Sequence, residues 1–191
     1  MKIAILDGGL ADQTTTDAIR TLLVDMGKQK GDQIQPFVLR EQKLAYCLGC
    51  FECWTKTPGR CRIEDGGQAI AKAIIHSDLV IYLTPITFGG YSSALKMAVD
   101  RTICLISPFF TKINGEVHHR KRYAHYPSLI GIGLLPQPDA AQAAIFSKLV
   151  ERNAINFHAP MHASLVVDST QDWALVQTQV QTLIEKAQVP S

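Results

Sequence analysis

Long hydrophobic runs are missing from this chain of 191 residues: no stretch approaches the roughly 18 apolar residues that a membrane-crossing helix needs. A dominant sign of charge is missing too. Nineteen Lys and Arg face seventeen Asp and Glu, a formal net charge of +2, which builds no field suited to nucleic acid or a lipid surface. There is no G-x-S-x-G, no phosphate-binding P-loop and no H-E-x-x-H, so hydrolase, NTPase and zinc-protease readings lack a motif. Internal repeats and low-complexity tracts are absent. The opening MKIAILDGGL carries one Lys and breaks at Asp7-Gly8-Gly9, so it does not read as a signal peptide, and a cytoplasmic, reducing setting is expected. What the chain does have is an ordinary globular balance, 47% hydrophobic and 19% charged, at a length that suits one domain spanning 1–191.

Residues 2–7 (KIAILD) form a short apolar run that ends at two glycines, as a buried strand entering a loop does. Residues 34–39, 78–83, 128–135 and 163–167 read as four further strands. Between them lie segments with apolar residues at helical spacing: 14–26, 65–75, 91–106, 140–156 and 171–187. The polar, basic and aromatic stretch 112–127 reads as a long loop. Apolar strands alternating with amphipathic helices predict an α/β domain, a doubly wound five-stranded parallel sheet covered on both faces. The flavodoxin-like order 2-1-3-4-5 suits five strands, giving a three-layer α/β/α molecule. On such sheets ligands bind at the carboxyl ends of the strands, where the order switches between strands one and three. That singles out residues 8–16 and 84–91.

The first of these loops joins a strand to a helix. Gly9, Gln13, Thr14, Thr15 and Thr16 could turn N–H groups and hydroxyls toward a phosphate, aided by the helix dipole. A plain turn with a Thr or Asp cap serves the same residues equally well, and Asp7 and Asp12 would repel an anion if they pointed inward. In the second loop, TPITFGGYSSALKMAVDR, Gly89 and Gly90 allow backbone to approach a flat ligand closely. This segment resembles the pattern S-P-V-Y-F-G-x-x-S-x-x-L-K-x-x-x-D-R of the NADPH-dependent FMN reductases and multimeric flavodoxins. The resemblance implies that Thr84, Pro85, Ile86, Thr87, Phe88, Gly89 and Gly90 cradle the isoalloxazine ring of FMN. It implies a structural or interface role for Lys96, Asp100 and Arg101. The first loop departs from the family, which commonly reads Gly-Ser-Pro-Arg where this chain reads Asp7-Gly8-Gly9-Leu10.

Four of the five cysteines fall together in CLGCFECWTKTPGRC, spaced C-x2-C-x2-C-x7-C. Three cysteines so close can wrap one corner of a cubane cluster, with Pro58-Gly59 returning the chain for a fourth. Zinc more often takes two separated C-x2-C knuckles. A redox pair, or free thiols packed in a loop, are the other readings. The segment resembles the compact motif of iron-sulfur flavoproteins, which implies a [4Fe-4S] cluster on Cys47, Cys50, Cys53 and Cys61. Cys104 reads as a core thiol. Phe51 and Trp54 read as packing or interface groups. His118 and His119 are adjacent and cannot share one face as a metal pair, while Arg120 and Arg122 read as a solvated lip or as donors to a nicotinamide phosphate.

The sequence therefore predicts an FMN-dependent oxidoreductase that takes electrons from NAD(P)H, the co-substrate, and passes them to a quinone or other small-molecule acceptor. The alternative is a carrier relaying electrons between a [4Fe-4S] cluster and FMN, with an electron-transfer protein as partner. No side-chain acid or base is required for the hydride-transfer reading, so no catalytic residue is assigned. The resemblance implies a homodimer or homotetramer, with Phe109 and Phe110 among the contact candidates.

Overall fold

The computed structural model describes residues 1–11 and 14–187. Five parallel strands form the central sheet: β1 (Lys2–Asp7), β2 (Gln33–Val38), β3 (Leu79–Pro85), β6 (Ser128–Leu135) and β7 (His162–Asp168). Their order is β2-β1-β3-β6-β7, which is the expected 2-1-3-4-5 when only these strands are counted. β3 is buried at every residue, as a central parallel strand covered on both faces must be.

Alternate strand residues feed two cores. Ile3, Ile5, Leu79 and Ile81 meet α1 (Thr14–Gln29) and α6 (Trp173–Ala187) through Ile19, Leu23, Val176 and Val180. Ala4, Leu6, Val80 and Tyr82 meet the other face, covered by α3 (Gly66–Ile75), α4 (Ser93–Asp100) and α5 (Ala140–Asn156) through Ile70, Ile74, Leu95, Phe146 and Val150. The period of two along each strand sorts these residues to opposite faces. On β6 two alternate positions are glycine because α5 lies close. A Cβ on Gly131 would stand 2.4 Å from Val150 Cγ2, and one on Gly133 would stand 2.6 Å from Ile86 Cδ1.

Two expectations need correction. Residues 112–127 are a loop only in part: β4 (Ile106–Ile113) and β5 (Glu116–Lys121) pair antiparallel as a separate two-stranded sheet, and 122–127 are the irregular remainder. Asn114 (φ 50°) and Gly115 (φ 85°) make its turn, the left-handed pair that a two-residue hairpin favours. The helix expected over 91–106 ends at Asp100 and continues as a 3-10 turn, Arg101–Leu105, so Cys104 lies there rather than in mid-helix. The cysteine stretch holds a one-turn helix, α2 (Glu52–Thr55), that the sequence did not reveal.

Candidate functional site

At the carboxyl ends of the strands lies a cavity of about 420 Å³. Leu10, Thr14 and Thr15 close one end, and Pro85, Ile86 and Thr87 close another. The third wall comes from the ends of β6 and β7, including Pro136, Asp168 and Ser169. Its volume falls within the range of roughly 300–1,000 Å³ typical of small-molecule sites. The two loops singled out by the switch-point argument therefore face one space. The β6 and β7 wall was not named from sequence, although the carboxyl-end rule applies to those strands equally.

The loops are tied to each other before any ligand arrives. Ser92 caps α4: its Oγ accepts the Leu95 N–H at 3.3 Å and donates to the Gly8 carbonyl at 2.7 Å. The Ser92 N–H donates to Thr84 Oγ1 at 3.0 Å, and that hydroxyl donates to the Pro85 carbonyl at 2.9 Å. Thr84 is wholly buried, so its part is to hold the two loops in register rather than to touch a ligand. A Cβ on Gly8 would lie 2.6 Å from Ser92 Oγ, which is why the close approach needs glycine.

Asp7 does not face an anion site. It is fully buried, ion-paired with Arg20, and its Oδ1 accepts the Gly9 N–H at 2.8 Å. Arg20 also holds Asp17 at 2.6 Å, which Arg40 holds at 2.9 Å. Arg20 thus neutralises Asp7, one of the two carboxylates that argued against anion binding in this loop; Asp12, the other, lies outside the described residues. The same bond withdraws Gly9 as a donor to a phosphate. Thr14 and Thr15 are exposed in the first turn of α1 and reach the cavity, whereas Thr16 is buried beneath it. Gln13 lies outside the described residues.

The 84–90 loop is a tight turn. Thr87 and Gly90 exchange both backbone hydrogen bonds, at 3.0 and 2.9 Å, around Phe88 (φ 51°) and Gly89 (φ 76°). The Ile86 N–H donates to Leu134 and the Gly89 N–H to Gln142 Oε1 at 3.2 Å. Of the amides expected to line a flavin edge, those of Ile86, Thr87, Gly89 and Gly90 are thus engaged within the protein. Among the described residues the Phe88 N–H has no partner. The Phe88 ring is 96% exposed at the tip of the turn. Gln142, fixed by Asp139 at the start of α5, steadies this turn and was not singled out from sequence.

The four clustered cysteines line one narrow cleft with Arg101 and Ile103. Cys53 is buried, and burial together with the neighbouring thiols pushes its thiol up. The donor chemistry suits an iron-sulfur group. The spacing as it stands does not: among the described residues no three His, Cys, Asp or Glu side chains are gathered as metal ligands. Arg101, 3% exposed, clamps both ends of this loop. Its guanidinium donates to the Ala45 and Ile63 carbonyls at 2.9 and 3.3 Å and to both Asp65 oxygens at 2.9 Å. Asp65 in turn accepts the Ala45 N–H and caps α3. Burial raises the Asp65 carboxyl, but Arg101 and the Ala45 and Gly67 N–H groups together outweigh it and hold the group below the usual range.

Cys104 is a core thiol that burial pushes up to about 12. Trp54 stacks between Phe51 and His119, at centroid distances of 5.0 and 4.9 Å, and donates to the Ile103 carbonyl. Packing is thus its role within the chain. His118 sits between Asn156 Oδ1 and Glu116 and does not join His119 in a shared site. Arg120 and Arg122 reach across the hairpin to the Phe110 and Ile106 carbonyls.

An open parallel sheet of this order, with a cavity of nucleotide size at its switch point, is a flavodoxin-like fold. The family model for NADPH-dependent FMN reductase matches residues 1–131, and the chain belongs to that family. An iron-sulfur flavoprotein of Methanocaldococcus jannaschii is 29% identical over 102 residues, 53% of this chain and 52% of that one. Another, from Archaeoglobus fulgidus, is 23% identical over 109 residues, 57% of this chain and 55% of that one. The chain thus spans about half the length of these curated relatives. Solved structures share the fold: NAD(P)H:quinone oxidoreductase from Methanothermobacter marburgensis has a TM-score of 0.69 at 6% identity, covering 99% of this chain and 96% of that one. An FMN-dependent NADH-azoreductase from Bacillus anthracis in complex with FMN has a TM-score of 0.63 at 13% identity, covering 98% of each chain.

Proposed function

We propose that the chain binds FMN in the carboxyl-edge cavity and acts as an NAD(P)H-dependent oxidoreductase toward a quinone or other small organic acceptor. The observation that carries this reading is the single cavity shared by the first turn of α1 and the turn after β3. FMN, when bound, supplies the chemistry, accepting a hydride from the nicotinamide and passing electrons on. Thr14 and Thr15 would take the phosphate at the positive end of α1, and Arg20 would keep Asp7 from opposing it. Residues 85–90 would carry the ring. Pro85, Ile86 and Thr87 would give it a wall, while the exposed Phe88 ring at the tip of the turn would cover it. The membership of the family and the likeness to flavin-dependent reductases support the reading. Mixing FMN-loaded protein with NADPH, then with a quinone, tests it. Rapid loss and return of the flavin absorbance is expected; a flavin that NADPH and NADH both leave oxidised contradicts it.

A second reading is favoured by the four thiols sharing one cleft. In it Cys47, Cys50, Cys53 and Cys61 draw together around a [4Fe-4S] cluster that exchanges electrons with FMN. Iron and sulfide analysis of an anaerobic preparation separates the two readings.

We also propose self-association, a homodimer or homotetramer, through the hairpin, where Phe109 and Phe110 are 68% and 60% exposed and Val117 is also exposed.

A further inference from the structure

A second cavity, larger than the one at the sheet's carboxyl edge, lies elsewhere on the molecule. It holds about 570 Å³ and lies between α3, the returning cysteine loop and the far end of the hairpin. It shares no lining residue with the carboxyl-edge cavity. Its floor is apolar: Ala71 and Ile75 from α3, Leu105 from the 3-10 turn, and the Tyr123 ring. Tyr123 and Gly59 meet closely at one end. A Cβ on Gly59 would stand 2.6 Å from Tyr123 Oη, so the positive φ of Gly59 (87°) lets the loop close there.

The rim is polar and of one sign. Arg60, Lys72 and Gln68 line it, and no carboxylate does. Arg60 is shared with Glu64 at 3.3 Å. Lys72 has no ion-pair partner among the described residues. Gln68 is oriented by donating to the Cys61 carbonyl at 2.8 Å. His76 stands at the edge, with its Nδ1 2.8 Å from the Lys72 carbonyl. The N-terminus of α3 contributes nothing, because Asp65 already occupies it. An apolar floor beneath a few convergent polar groups is the usual make-up of a small-molecule site. An uncancelled cation selects the charge of its occupant.

We infer that this cavity is a second binding site, for a small organic anion with a flat apolar body, such as an aromatic carboxylate or sulfonate. The ring lies on Ala71, Ile75 and Tyr123, and the acid reaches Lys72. The site does not depend on the flavin reading.

Calorimetric titration of the full chain, FMN-saturated, with naphthalene-2-sulfonate and with uncharged naphthalene-2-sulfonamide tests it. The sulfonate should bind one site per chain, at least tenfold tighter than the sulfonamide. Lys72→Glu should weaken it at least tenfold. Ala69→Trp, which fills the mouth of the cavity, should abolish it. Both residues are exposed, so both variants should keep the wild-type Tm. Equal affinity for the two probes overturns the proposal. So does sulfonate binding that neither substitution changes, or that rising FMN concentration displaces. If the chain takes up no FMN, the flavin reading falls, and the same titration without FMN still decides this site.

Discussion

At the scale of single residues, the most consequential charge is Asp65. It is the partner of a buried arginine and the hinge of three connections: the α3 cap, the entry to the cysteine loop and the anchor on Arg101. Its carboxyl is held below the usual range, so its folded-state pKa lies below the unfolded value near about 3.9. Such a group contributes stability above the unfolded pKa and loses it as pH falls through the folded pKa. The stability gap between wild type and Asp65→Asn, measured by urea unfolding, should therefore be full at pH 7 and shrink below about pH 4. A gap independent of pH would contradict the role assigned to the carboxylate. Removing the other partner leaves a buried charge unpaired, so Arg101→Met should cost about 3–5 kcal/mol. Phe88 illustrates the opposite balance. A non-glycine residue in the left-handed region, with its ring exposed, costs about 1 kcal/mol that the fold does not need. Phe88→Asn should raise stability by about that amount while weakening FMN binding, since Asn suits this turn position but removes the ring. A gain in stability with unchanged FMN affinity would place Phe88 outside the site.

Among the elements, the link between the two loops that border the carboxyl-edge cavity is Ser92 at the head of α4. Ser92→Ala loses the cap of α4 and the bond to Gly8, and should cost about 1–2 kcal/mol in urea unfolding. FMN affinity, followed by fluorescence quenching, should fall with it. Gly133→Ala drives a methyl into Ile86 and Phe146 and should cost about 1–3 kcal/mol. Because Ile86 lines the proposed flavin cavity, the same change should loosen FMN. The five sheet strands were legible in the sequence because each is a short apolar run bounded by turn residues. β4 and β5 were not, because their residues alternate poorly and mostly face solvent, with Pro108 in one of them. The signal was nevertheless present in Asn114-Gly115, flanked by residues that pair across the turn. At the proposed site, the pattern of residues 84–101 singled out a turn that does border the carboxyl-edge cavity. It could not show that most of its amides are bonded internally, because the partners Leu134 and Gln142 come from distant segments. Nor could it show that Arg20 neutralises Asp7, since that contact depends on how α1 packs on β1.

For the molecule as a whole, the proposed function rests on the division between the central sheet and the loops at its carboxyl edge. The hairpin lies outside that sheet, and its exposed aromatic residues suit contact with a second copy of the chain. Light scattering on purified protein should give a dimer or tetramer, and Phe109→Asp with Phe110→Asp together should shift it toward monomer without loss of fold. The central claim is that the cavity joining the first turn of α1 to the turn after β3 is a flavin site. Equilibrium dialysis of the apoprotein against FMN, with Thr14→Asp measured alongside, tests this most directly. The account predicts one FMN per chain and affinity at least tenfold weaker in the variant. A chain that takes up no FMN, or binds it equally well with a carboxylate placed at the opening of α1, would contradict it.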